Sequence, residues 1–186
     1  MIQLPFADRA EAGRLLAAEL ATLKLPENVI VLIANGPFQT LDQDLIRALD
    51  ISPEVIDAVI NKEKIELGRR ENLYRKGRPS LDLRGRTVLL VDDGLATGST
   101  MRVATRYANS HKPARTLIAV PVASVQACQR LREEADACIC LATPEPFVAV
   151  GQWYADFPQV NDSEVQRFLE AGRLPSKGNR SELLTR

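Results

Sequence analysis

Two adjacent acids, Asp92 and Asp93, stand between four apolar residues and a loop of small residues in the segment "VLLVDDGLATGST", positions 88–100. Neighbouring carboxylates repel each other, and glycines weaken a helix or strand interior, so this composition indicates chemistry rather than folding. Free amides in such a loop and at a helix start bind anions. The loop also offers three hydroxyl donors: Thr97, Ser99 and Thr100.

The acids indicate what the anion is attached to. Carboxylates beside a phosphate dianion are unfavourable unless a neutral or cationic group lies between them. Ribose hydroxyls can donate hydrogen bonds to carboxylates, and Mg²⁺ can bridge carboxylate, hydroxyl and phosphate oxygens. The segment therefore predicts a site for a phosphorylated pentose, with the phosphate in the loop and the sugar diol against Asp92 and Asp93.

The elements around this segment predict an α/β fold. Residues 88–141 alternate strand, helix, strand, helix, strand, with one helix from near Gly98 to about Ser110 and another that is capped by Ser124 and runs to Ala135. The strands are almost continuously apolar, which is typical of a parallel sheet covered by helices on both faces. Ligands of open α/β sheets bind beyond the carboxyl ends of the strands, where the loop after Asp93 must lie.

The flanking regions supply further elements. We expect a helix beginning after Asp8, a buried strand over 29–34, a short helix over 42–49 and a long helix from Pro53 toward Tyr74. The end of this long helix is basic and includes Arg69, Arg70, Arg75, Lys76 and Arg78. These charges favour a solvated helix terminus over a phosphate contact. A last helix begins near residue 161. Residues 1–171 are predicted to form one domain, and the polar residues 172–186 a disordered tail.

Composition excludes several classes of function. The 186 residues carry 24 basic and 24 acidic side chains, which argues against a nucleic-acid or membrane-surface partner. No secretory signal is visible at the start, so we expect a cytoplasmic protein. His111 is the only histidine, which excludes multi-histidine metal sites. We expect the three cysteines to be reduced core thiols: Cys128, Cys138 and Cys140.

Positions 88–100 also resemble the 13-residue signature for phosphoribosyl pyrophosphate (PRPP) in type I phosphoribosyltransferases. The segments "FADRAEAGRLLAAEL", "ENLYRKGRPSLDLRGRTVLLVDDGLATGSTM" and "LATPEPFVAVGQWYADFPQVNDSEV" are similar to bacterial members, some of which occur fused to hydrolase domains. The resemblance covers most of residues 6–171. It implies the parallel-sheet, Rossmann-like phosphoribosyltransferase fold.

The resemblance implies roles for individual residues. Asp92 and Asp93 would hold the ribose hydroxyls directly or through Mg²⁺, and the loop would hold the 5′-phosphate. Pyrophosphate would leave C1 through an oxocarbenium-like state, with electrostatic stabilisation supplying most of the catalysis. Some members carry a general base where this chain has Ala96, so no catalytic residue can be named. The implied binding residues are Asp92, Asp93, Gly94, Leu95, Ala96, Thr97, Gly98, Ser99 and Thr100.

The sequence departs from the family after its first strand. Family members place a pyrophosphate-binding loop there, but "VIVL" runs directly into "IANGPFQTLDQDLIRAL", which resembles a segment beyond the flap. A β-α-β unit needs roughly 30 residues or more, so the fold is expected to be shortened by one such unit. The lost strand would expose an edge or apolar face that favours a homodimer. Amides of Asn35 and Gly36 are a candidate substitute for the loop.

Two functions therefore remain open. One is a transferase of nucleotide metabolism that moves phosphoribosyl to an unknown acceptor; the other is a non-catalytic phosphoribosyl-binding or regulatory protein. A phosphoacceptor receiver domain also has a strand similar to "VLLVDD", but there the strand opens the chain. In this sequence the strand lies mid-chain, which excludes a receiver domain. A nucleotide P-loop is excluded because "GLATGST" has no lysine. Trp153 and Tyr154 are expected to pack against the sheet rather than stack on an acceptor base.

Overall fold

A four-stranded parallel sheet forms the centre of the molecule. The computed structural model describes residues 2–26, 28–33, 47, 49–75 and 81–171. Within them the sheet order is β1-β2-β3-β4, and each strand pairs in parallel with the next. The strands are β1 (Val29–Ile33), β2 (Thr87–Val91), β3 (Arg115–Val122) and β4 (Ala137–Ala142).

Helices connect and cover the strands. The α-helices are α1 (Arg9–Thr22), α2 (Pro53–Arg75), α3 (Ser99–Ser110), α4 (Val125–Arg132) and α5 (Asp162–Ala171). A 3₁₀ turn spans Val150–Trp153. The predicted alternation over 88–141 is confirmed, with α4 ending three residues before the expected Ala135. No helix among the described residues is both long enough and apolar enough to cross a membrane.

The two faces of the sheet bury alternate residues of the central strands, as the period of two requires. Val88 and Leu90 join the core beneath α3 and α4. Leu89 instead packs with Leu16 of α1 on the opposite face. Each fully buried aliphatic side chain of this kind stabilises the fold by about 1.5–3 kcal/mol. Helices on both faces therefore hold β2 and its C-terminal end in place.

Side chains at the helix starts confirm the predicted caps. Asp8 accepts a 2.7 Å bond from the amide of Glu11, and Ser124 accepts one of 3.1 Å from the amide of Ala127. At α5 the amide of Glu164 donates to the Asn161 side chain and the amide of Asn161 to the Glu164 side chain, both at 3.0 Å. Such caps satisfy amides that a helix leaves without partners.

Helix α2 is packed less closely than its apolar spacing predicts. Val55 and Val59 are 54% and 55% exposed, whereas Ile56 and Ile60 are partly buried. Bonds to α5 help to hold the helix: Tyr74 donates to Asp162, and Gln166 donates to the carbonyl of Leu73. Strand β1 lies at the sheet edge of the described part, with Val31 59% exposed. The homodimer stays a prediction.

Several expectations fall on residues that the structure does not describe. The short helix over 42–49 is described only at Arg47 and Leu49. Asn35, Gly36 and the tail 172–186 lie wholly outside the described residues. The prediction of a tail, and of a single domain over 1–171, therefore stays a prediction.

The cysteine prediction is wrong for two of the three residues. Cys128 and Cys140 form a disulfide, and Cys138 is free and buried. The packing of α4 against β4 brings together two cysteines that are 12 residues apart in the chain. Their spacing alone could not reveal this contact, because it depends on which face of α4 meets the sheet.

Candidate functional site

The loop after β2 is tied to the end of β3 by hydrogen bonds. The amide of Leu95 donates to the carbonyl of Val122 at 3.0 Å, and the amide of Ser124 donates to the carbonyl of Leu95 at 2.9 Å. The Ser124 hydroxyl also donates to the carbonyl of Ala96 at 2.7 Å. The end of β3 thus holds the loop in place, and the remaining amides and hydroxyls of the loop are free to contact a ligand beyond the strand ends.

Two glycines are required by the shape of this loop. A Cβ atom on Gly94 would lie 2.6 Å from Cγ1 of Val150 and 3.1 Å from the carbonyl oxygen of Val122. Gly98 has φ +74° and precedes the first residue of α3. An L side chain rarely adopts that conformation. The glycines therefore allow a tight passage from β2 into the start of a helix.

A cleft of about 210 Å³ lies over the loop. Its walls are Asp92 and residues 94–101, so it contains all but one of the residues that the sequence predicted for a phosphoribosyl ligand. The hydroxyls of Thr97 and Ser99 lie 3.1 Å apart, and the side chains of both residues are exposed together with that of Thr100. Helix α3 directs its first unpaired amides and the positive end of its dipole at the same space. The cleft therefore brings together the amide and hydroxyl donors that an anion requires.

Asp92 stands partly buried at the base of the cleft. Burial, together with the negative charge of Asp93, raises the pKa of its carboxyl from 3.8 to about 6. The Asp93 amide, which donates to Oδ1 of Asp92 at 2.9 Å, and the positive charge of Arg9 oppose that rise. A cation or a sugar hydroxyl arriving at this carboxylate would replace part of its lost hydration.

Asp93 lies just outside that cleft and is held by partners distant in sequence. Nε of Arg9 donates to its Oδ2 atom at 2.8 Å, and the hydroxyl of Tyr154 donates to its carbonyl at 2.6 Å. Burial raises the pKa of Tyr154 above its ordinary value, and the nearby Asp93 charge does so further, which keeps the hydroxyl a donor. The structure therefore places both acids together but gives them different surroundings.

Arg9 is itself fixed by the C-terminal segment. Its guanidinium carbon lies 3.5 Å from the ring centroid of Phe157, and its Nη1 donates to the carbonyl of Pro158. The segment before α1 and the segment after the 3₁₀ turn meet because Phe6 pairs with Tyr154 in an isolated parallel bridge. Tyr154 is buried, which confirms the packing interpretation for that residue. Sequence reasoning missed Arg9 and Phe157, whose only signal was that both lie in segments resembling the family.

A second cleft of about 450 Å³ lies on the other side of Asp93. Arg9, Arg70, Gln159 and Val160 complete its lining. Arg70 pairs with Glu66 at 2.8 Å in an exposed i,i+4 ion pair, which supports the interpretation of a solvated helix end. A phosphate contact by this basic cluster stays a prediction. The structure does not describe the side chains of Arg75, Lys76 and Arg78.

The donor set is compatible with Mg²⁺. Carboxylate oxygens are the ligands that Mg²⁺ prefers, and it usually binds one or two of them together with substrate phosphates. Asp92 makes no ion pair among the described residues, whereas one oxygen of Asp93 is occupied by Arg9. Asp92 and the second oxygen of Asp93 are therefore the atoms that could hold the ion.

Comparisons with known proteins agree with this architecture. The phosphoribosyl transferase domain family matches residues 9–156, so the chain belongs to that family. It is 35% identical over 205 residues to "Putative phosphoribosyl transferase Rv0571c" of Mycobacterium tuberculosis H37Rv, and equally to MT0597 of strain CDC 1551. These alignments cover 89% of this chain and 46% of each relative. The chain thus spans about half the length of these curated relatives.

A solved structure supports the fold independently. The crystal structure of TT1426 from Thermus thermophilus superposes with a TM-score of 0.67 and 29% sequence identity. The superposition covers 88% of this chain and 97% of that one. The parallel α/β fold predicted from the sequence is therefore confirmed, and so is the recognition of the family.

Proposed function

We propose that this protein binds PRPP, or the ribose 5-phosphate part of a similar ligand, and transfers phosphoribosyl to an acceptor with release of pyrophosphate. One observation carries the proposal: the cleft over the loop joins helix-start amides and three hydroxyls to a carboxylate, within a space of about 210 Å³. Phosphate fits the amides and hydroxyls, and a sugar diol fits the acid.

The loop residues 94–100 would bind the 5′-phosphate in this scheme. Asp92 and Asp93 would accept hydrogen bonds from the ribose hydroxyls or hold Mg²⁺. When bound, Mg²⁺ would neutralise the pyrophosphate oxygens as the leaving group develops charge. Arg9 and Tyr154 would keep Asp93 in position while the ligand binds.

The proposed reaction breaks the C1–O bond to pyrophosphate and forms a bond from C1 to the acceptor nucleophile. The electron pair of the broken bond leaves with pyrophosphate, and the acceptor's proton passes to water. Positive charge develops on the sugar in between, which the two carboxylates stabilise if they are ionised. Ala96 supplies no base, so an acceptor that is already nucleophilic is the expected substrate.

A specific feature supports the alternative, a non-catalytic phosphoribosyl-binding or regulatory protein. The sequence lacks the Pro-Arg-Gly-Gly-like run that holds pyrophosphate in family members. A chain that binds ribose 5-phosphate but not the pyrophosphate would recognise phosphoribosyl ligands without turnover. Whichever holds, nucleotide metabolism in the cytoplasm is the setting that we propose.

Paired calorimetry and turnover measurements test the proposal. Ribose 5-phosphate and PRPP, each with Mg²⁺, are titrated into the protein, and pyrophosphate release is followed over a panel of nucleobases. A transferase binds PRPP more tightly and releases pyrophosphate with one acceptor. Equal affinity and no release identify the binding protein.

The acids provide the variant test. The double change Asp92→Asn, Asp93→Asn is expected to weaken sugar-phosphate binding by at least about tenfold, because each lost charged hydrogen bond costs about 1.5–3 kcal/mol. Asp57→Asn, on the exposed side of α2, is the matched control and should bind as the wild type does. Unchanged binding by the double variant would exclude the role assigned to the acids.

A further inference from the structure

Three sulfur atoms meet between α4 and β4. The Sγ atoms of Cys128, Cys138 and Cys140 all lie within 4.8 Å of one another. Cys138 and Cys140 are two residues apart on β4 and so point to the same face of the sheet. Cys128 reaches them from the buried face of α4 and is 2% exposed. The proposed function uses none of these thiols.

We propose that the reduced form of this three-cysteine cluster is a binding site for one cuprous ion, held by three thiolates. With metal–sulfur bonds of about 2.3 Å, the sulfurs of a trigonal site lie about 4 Å apart. Cys138 and Cys140 already meet that requirement, with their sulfurs 3.7 Å apart. The third sulfur, that of Cys128, needs only to separate from the Cys140 sulfur when the disulfide is reduced.

The backbone spacing favours a bridging atom at this place. The Cα atoms of Cys128 and Cys140 are 7.3 Å apart. Most disulfides span about 4.4–6.8 Å between Cα atoms, so this separation is wider than a direct bond usually joins. A metal ion between the sulfurs spans a longer distance than a single S–S bond.

The ligand set selects a soft ion of low coordination number. No histidine or carboxylate of the described residues joins the three sulfurs. Zn²⁺ almost always takes four ligands in closed sites, whereas soft thiolates select Cu(I). Leu131 lies in the same buried cluster as Cys128. Three soft donors without a fourth ligand therefore favour Cu(I) over Zn²⁺.

The disulfide must be reduced before the metal binds. Two small-molecule thiols together donate two electrons and two protons, so that the Cys128–Cys140 disulfide becomes two thiols and the two donor sulfurs are joined in a disulfide of their own. Cu(I) then replaces up to three thiol protons, which pass to water.

The test is an anaerobic titration of the full chain, reduced by a phosphine and shown to contain three free thiols. Cu(I) is delivered from a bicinchoninate complex, and the ultraviolet thiolate-to-copper absorption is followed. One ion per chain is expected, with protection of all three cysteines from alkylation as read by mass spectrometry. A reduced chain that takes no copper from the chelator, or that protects only two cysteines, overturns the proposal.

Variants separate direct ligands from general effects on β4. Cys138→Ser should lose at least about tenfold in copper affinity, since losing a direct ligand costs no less than losing an outer-shell partner. Ala137→Ser, on the same strand, adds a hydroxyl without removing a thiol and should bind as the wild type does. Wild-type affinity in Cys138→Ser, or displacement of Cu(I) by an equal concentration of Zn²⁺, contradicts the assignment. If a serine variant does not fold, wild-type stoichiometry and alkylation decide.

Discussion

Nε of Arg9 lies 2.8 Å from Oδ2 of Asp93, a contact that joins residues 84 positions apart. Arg9 begins α1 on one face of the sheet, and Asp93 follows β2 at its carboxyl end. The same guanidinium lies on the ring of Phe157, so a single side chain connects the acid to the segment that follows the 3₁₀ turn. The wall beside the candidate site therefore depends on tertiary packing.

Replacement of Arg9 by alanine should lower the free energy of unfolding by about 0.7–2 kcal/mol. The estimate combines about 0.2–1 kcal/mol for a partly exposed ion pair with about 0.5–1 kcal/mol for the cation–π contact. The stability of Arg9→Lys should lie between those of the wild type and Arg9→Ala, because lysine keeps the charge without the planar stacking. Urea unfolding measures the change.

Arg70→Ala is the control for this effect. Arg70 makes an exposed ion pair within one helix, which is worth about 0.3–0.5 kcal/mol. A loss no larger for Arg9→Ala than for Arg70→Ala would show that the Arg9 contacts contribute nothing beyond an ordinary surface pair.

Tyr154→Phe should cost about 0.5–1.5 kcal/mol of stability, because it removes one buried hydrogen bond to the Asp93 carbonyl and keeps the ring. Without this bond the Asp93 peptide is held less firmly, so ribose 5-phosphate should also bind more weakly. Calorimetry with Mg²⁺ measures this affinity. Tyr74→Phe removes a comparable hydroxyl bond, to Asp162 between α2 and α5. If both variants bind the ligand equally well, Tyr154 has no positioning role.

Gly94→Ala should destabilise the protein by about 1–3 kcal/mol, because its new methyl would overlap Val150 Cγ1 at 2.6 Å. Adding Val150→Ala should restore part of the loss. Thermal unfolding compares both with Gly13→Ala in α1, where nothing lies within 4 Å of the added atom. That control should gain up to about 1 kcal/mol from helix propensity. Equal melting temperatures for the two single variants would contradict the close approach.

The stability should depend on the ionisation of Asp92. Its pKa is raised in the folded state from 3.8 to about 6, so the folded chain binds a proton more tightly than the unfolded chain does. Stability from this group is therefore present in full below pH 3.8, is lost as pH rises to about 6, and is constant above. The loss is at most about 3 kcal/mol, at 1.36 kcal/mol per pKa unit.

Urea unfolding at several pH values checks that sign. Asp92→Asn should flatten this part of the profile, since an amide does not titrate, while Asp57→Asn should leave it unchanged. A wild-type profile that parallels that of Asp92→Asn across this range would show that Asp92 titrates at its ordinary pKa. Because sugar phosphates titrate near the same pH, the measurement is made without ligand.

Most of the local structure around the site follows from short-range signals. The continuous apolar runs predict β2, β3 and β4, and the capping side chains of Ser124 and Asn161 mark their helix starts. The loop residues 94–100 come together because they are consecutive. These features depend on neighbouring residues and on patterns with periods of two and 3.6. The predicted end of α4 was three residues too late, because the exact end of a helix is less clearly marked in a sequence than the helix itself.

Contacts between distant segments could not be obtained in this way. The segments that carry Arg9 and Tyr154 look like ordinary helix-start and aromatic segments, and nothing in their spacing reveals that both reach Asp93. The Cys128–Cys140 contact is of the same kind. Each depends on how helices are placed over the sheet, which a single sequence does not encode in a local pattern.

The sequence by itself determined the parallel α/β order, the small-residue loop after β2 and the pair of acids, because periodicity, glycine spacing and adjacent charges are local properties of the chain. Only the tertiary structure decided that Asp92 is partly buried with a raised pKa while Asp93 is held by Arg9 and Tyr154. It alone also brought three cysteines together. Burial and long-range contacts arise when separate elements exclude water from one another, and that happens only in the folded molecule.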